Sequence, residues 1–77
     1  MASKDSILNY IKKRLSNSTN ITEQRALFIM EALLESKDDF NIIYFKNLIA
    51  KGLRTIEETS EPVLFNLYKD VFEFIGK

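Results

Sequence analysis

Apolar residues recur at helical spacing in four runs along the chain, and short polar breaks separate the runs. Ile7, Leu8, Ile11 and Leu15 give the first run one apolar face. In the second, Ala26, Leu27, Ile29, Met30, Leu33 and Leu34 form a broader face, wide enough to touch two neighbours, with Phe28 at its edge. The third has a seam at Ile42, Phe45, Ile49, Leu53 and Ile56, widened by Ile43 and Leu48. The fourth places Leu64, Leu67, Tyr68, Val71, Phe72 and Ile75 on one stripe, with Phe65 and Phe74 off it. This spacing predicts helices over about 6–16, 23–36, 40–58 and 61–75. Helices of this length joined by short links predict an all-α fold, a small antiparallel four-helix bundle.

The breaks carry start and stop signals. Asp5 or Ser6 is placed to cap the first helix and Thr22 the second, while residues 16–20, SNSTN, can all bond their own backbone and mark a loop. Either Asp38 or Asp39 can cap the third helix. Gly52 interrupts the third seam, and glycine in a helix interior costs about 1 kcal/mol relative to alanine. Such a position implies a close helix contact or a kink; the alternative is a helix ending at Lys51 with Gly52 as its cap. Because the period runs on to Ile56, one continuous helix is expected. Thr59-Ser60 is the last break, and Pro62 suits the first turn of the closing helix, where its missing N–H removes no bond.

Composition narrows the function more than it names one. A chain of 77 residues hides only about 60 % of its unfolded surface, so one small domain of modest stability is expected. Lysine plus arginine equal aspartate plus glutamate at 11 each, which gives no reason to expect nucleic acid as a partner. The chain has no cysteine and no histidine, so the thiolate and imidazole that dominate nucleophilic, acid–base and metal chemistry are missing. With no phosphate-cradling glycine loop either, no enzymatic activity, cofactor or metal is expected. The N-terminal stretch lacks the apolar core of a secretory signal, and no run approaches the roughly 20 apolar residues of a membrane span, so a cytoplasmic protein without membrane insertion is expected.

Several charged groups have two readings. Lys12, Lys13 and Arg14 complement the negative end of the first helix dipole, or bind phosphate. Glu31 and Glu35 resemble paired carboxylates, but two glutamates on a solvated helix face are the plainer account, and no histidine accompanies them. Asp38-Asp39 lacks the alternating oxygens, central glycine and closing glutamate of a calcium loop. Lys46, Lys51 and Arg54 make a solvated face or a basic contact surface. The fourth helix carries aromatic residues around too much of its circumference for one narrow core face. Phe65, Tyr68, Lys69, Phe72 and Phe74 are therefore the candidate partner-binding residues, the alternative being that a thin bundle buries most of them.

From SILNYIKKRL through ITEQRAL and LIAKGLR to SEPVLFNLYKDV, the order of elements resembles the bacteriocin-immunity proteins of the enterocin A, or pediocin-like, type. The last segment carries most of the likeness, through Pro62, Val63, Leu67 and Tyr68. Unlike the longer members, the chain ends with its fourth helix. The resemblance implies a non-enzymatic cytosolic bundle that protects the producing cell from a pore-forming peptide. It further implies a protein partner, a bacteriocin-bound sugar-transporter receptor met at the inner side of the membrane. The competing expectation is a small interaction or regulatory module of phage or plasmid type, dimeric through the fourth helix. A monomer or weak homodimer is expected; a stable dimer burying the aromatic residues of the fourth helix would favour the module, and a monomer with an exposed aromatic patch would favour immunity.

Overall fold

The computed structural model describes residues 2–36 and 41–76 and contains four helices, α1 (Lys4–Asn17), α2 (Ile21–Glu35), α3 (Ile42–Thr55) and α4 (Pro62–Ile75). They form a small antiparallel four-helix bundle. The Ala2 N–H donates to the Ile75 carbonyl at 3.1 Å, while Arg14 reaches Asp70. The start of α1 thus meets the end of α4, and the end of α1 meets its middle, so these helices run in opposite directions. Packing is closest within the sequential pairs α1–α2 and α3–α4, and α2 against α4 joins the two hairpins.

The helix starts differ from the expected ones. Ser3, not Asp5 or Ser6, caps α1 by accepting the Ser6 N–H at 3.2 Å. Asn20, not Thr22, caps α2 through Glu23 N–H at 3.0 Å. Both caps have extended backbone, and each side chain satisfies one otherwise orphaned donor, worth about 1 kcal/mol. Asn41 caps α3 by accepting from the N–H groups of Ile43 and Tyr44. The expected start at Phe40, and Asp38 and Asp39 as caps, lie outside the described residues. Glu61 offers α4 no side-chain bond, and Pro62 opens it.

At its far end α3 stops at Thr55, short of the expected Glu58. The Thr55 hydroxyl donates back to the carbonyls of Lys51 and Gly52, and the next residue, β-branched Ile56, turns extended. Ile56 keeps the period of the seam without being helical and is half-buried.

Among the described residues the buried core is wholly apolar: Ile7 and Ile11 from α1; Leu27, Met30 and Leu34 from α2; Phe45 and Ile49 from α3; Leu67, Val71 and Ile75 from α4. Two expected faces prove narrower. Ile29 and Leu33 of α2, and Ile43 of α3, are exposed. The reason is geometric: α1 and α4 cover α2 only along its Leu27–Met30–Leu34 side, and α3 packs chiefly on α4.

Helix α3 is continuous through Gly52, and the close contact anticipated there is present. The Tyr68 ring lies directly on this position: a Cβ built at Gly52 would fall 2.6 Å from Tyr68 Cδ2 and also overlap Cε2. No residue among those described has positive φ, so the glycine supplies room and not an unusual backbone angle. Gly52→Ala should therefore destabilise by about 1–3 kcal/mol in urea unfolding, despite alanine's better helix propensity. In a Tyr68→Ala background the same change should become neutral or stabilising, a reversal that a double-mutant cycle reads directly.

Candidate binding surface

Three of the aromatic candidates on α4 have partners inside the chain. Tyr68 covers Gly52, and Phe74 stacks on Tyr10 of α1 with ring centroids 4.3 Å apart and planes 13° from parallel. Lys46 Nζ of α3 stands 5.2 Å from the centre of the Phe72 ring, within cation–π range. All three rings are half-buried, as is Phe65, while Lys69 is exposed. Tyr68, Phe72 and Phe74 thus tie α4 to α3 and α1, and each keeps only part of its ring at the surface.

Near them lies a polar junction that the sequence did not reveal. Arg14 Nε donates to Glu23 Oε1 at 2.8 Å, and Nη1 donates to Asp70 Oδ2 at 2.7 Å and to the Tyr10 hydroxyl at 3.0 Å. One guanidinium therefore joins α1, α2 and α4. Partial burial works against the charge, but the bonds to Glu23, Asp70 and Tyr10 outweigh it and hold the Arg14 pKa above its ordinary value. Every described polar side chain in the interior has a partner. The chain pattern carried no sign of this junction, because Asp70 is 56 residues from Arg14. Of the basic triplet, Arg14 is structural, Lys12 approaches Glu35 at 3.8 Å in a half-exposed pair, and Lys13 is exposed.

Among the described residues the largest apolar exposure is on α2. Its outer face carries Ile21, Phe28 and Ile29 at 65, 58 and 63 % exposure, together with exposed Ala32 and Leu33. On a helix Ile21, Phe28, Ile29 and Ala32 share the side opposite Leu27, Met30 and Leu34, and Leu33 lies on its flank. Apolar side chains grouped in this way on the surface of a monomer are often functional. Arg25, exposed on the same face, has no ion pair among the described residues. The signal in the sequence was that apolar residues surround α2 almost completely, which a helix bordering water does not require.

An open cleft of about 290 Å³ lies where Thr22 meets residues 60–64, lined by Thr22, Ser60, Glu61, Pro62, Val63 and Leu64. Its polar lining is two hydroxyls, those of Thr22 and Ser60, and one carboxylate, that of Glu61. Among the described residues no group of carboxylates could hold a metal ion, and no helix is long and apolar enough to cross a membrane.

No protein-family model, curated protein or solved structure matches this chain.

The Arg14 junction makes a graded prediction. In double-mutant cycles built from Arg14→Met, Glu23→Gln and Asp70→Asn, coupling to Glu23, only 18 % exposed, should be about 1–2 kcal/mol. Coupling to Asp70, 47 % exposed, should stay below about 1 kcal/mol and fade as salt is added.

Proposed function

We propose that the chain is a non-enzymatic immunity protein, acting in the cytoplasm, that protects the producing cell from a pore-forming bacteriocin by binding a membrane receptor complex from the inner side. The observation that carries this reading is the exposed apolar face of α2 around Phe28 and Ile29, on a small helical bundle. A protein that acts by capture needs such a face and needs no reacting group. The resemblance through Pro62, Val63, Leu67 and Tyr68 supplies the class of partner. On α4, Lys69 and the accessible parts of Phe65, Tyr68 and Phe72 form a second contact region in this reading, and Phe74 adds an aromatic edge on the side of α4 that faces α1.

The same α2 face favours a second reading, an interaction or regulatory module of phage or plasmid type. The two differ in one outcome, protection of a living cell.

Expressed in a bacteriocin-sensitive strain, the chain should protect against at least one of a panel of pediocin-like peptides. Ile29→Glu should abolish that protection while the far-UV circular dichroism remains helical. Absence of protection against every peptide, from a folded and well-expressed chain, would overturn the immunity reading.

A further inference from the structure

We infer that a second copy of this chain covers the outer face of α2, through an antiparallel α2–α2 pairing about a two-fold axis between Phe28 and Ile29. The inference rests on the reading of this face as a protein-binding surface and names the partner that occupies it between encounters with a target.

Charge selects this occupant and this direction. Along the outer side of α2 the N-terminal half carries Arg25, and the C-terminal half is bordered by Glu35, a half-exposed carboxylate that also stands 3.8 Å from Lys12 of its own α1. In an antiparallel crossing centred between Phe28 and Ile29, Phe28 of each copy meets Ile29 of the other, and Arg25 lies opposite Ala32. Glu35 of the other copy is then about 4.5 Å further along the axis, within reach of an arginine side chain. The arginine stem packs over the small alanine while its head reaches a carboxylate. A parallel pairing would instead set Arg25 on Arg25 and Glu35 on Glu35. The antiparallel arrangement also opposes the helix dipoles, and it is isologous, as two-fold interfaces are.

Area sets the strength. The apolar stripe offers three large, well-exposed side chains, Ile21, Phe28 and Ile29, where a stable interface of standard size engages about 20–30 residues on each partner. The pairing is accordingly weak and exchanging. It shields Ile21, Phe28 and Ile29 from water and leaves them available to a tighter partner.

Sedimentation of the intact chain over a range of concentrations tests this, with protection of sensitive cells measured on the same variants. The expected result is a reversible monomer–dimer equilibrium that Ile29→Glu weakens at least about tenfold, with helical circular dichroism retained. Arg25→Glu should weaken it too, and adding Glu35→Arg should restore it. Because the chain has no cysteine, direction can be read by oxidation. Ile29→Cys, beside the axis, should cross-link two copies, whereas Ser36→Cys residues would lie more than about 20 Å apart and should not. A chain monomeric at all concentrations, or a dimer indifferent to Ile29→Glu, overturns the proposal. If it is monomeric and Ile29→Glu still abolishes protection, the binding face stands and only the second copy is wrong. If the dimer behaves as expected and Ile29→Glu leaves protection intact, the dimer stands and the functional reading of the face falls.

Discussion

Contact between α2 and α4 is the constraint on which the fold depends. Each sequential pair, α1–α2 and α3–α4, has its own packing, but a helical hairpin of this size buries little, and the two must close on each other to make a core. Leu67, Val71 and Ile75 of α4 and Leu27, Met30 and Leu34 of α2 are all at or near zero exposure. Around this joint, α1 is fastened to α4 by the Tyr10–Phe74 stack and by Arg14 reaching Asp70. The apolar rows supply most of the stabilisation and the polar contacts restrict how the hairpins are oriented, since a guanidinium bonded to two helices besides its own fits few alternative packings.

The period of the apolar residues made the four helices legible, together with the buried row of α4 and the place of Gly52. That row needed no tertiary knowledge, because Leu67, Val71 and Ile75 repeat every four residues. Capping was legible only as a kind of residue. Ser3 and Asn20 acted where Ser6 and Thr22 were expected, since each polar break contains several residues able to cap and packing decides among them. The faces of α2 and α3 were drawn too wide because period alone does not say how many neighbours a helix has. Ile29, Leu33 and Ile43 fit the pattern of a core and face water. Arg14 lies at the opposite extreme: its local position at the end of a helix explained it adequately, and its role arises from a carboxylate on another helix.

These outcomes shift the functional weight from α4 toward α2. The aromatic residues that made α4 the natural contact helix include Tyr68, Phe72 and Phe74, each with an intramolecular partner. The apolar residues of α2 divide into a buried side and an exposed side. Apolar side chains grouped on one exposed helix face mark an interaction surface more often than scattered ones do, so a partner for the exposed side is the economical account.

Neighbouring residues on opposite sides of α2 test that account most directly. Urea unfolding should be compared for Leu27→Ala and Phe28→Ser at concentrations where the chain is monomeric. The account predicts a loss of about 2–5 kcal/mol at Leu27, as for a buried leucine, and a change within about 0.5 kcal/mol at Phe28. A loss at Phe28 comparable with that at Leu27 would mean that the outer face of α2 is core, and would contradict the central claim.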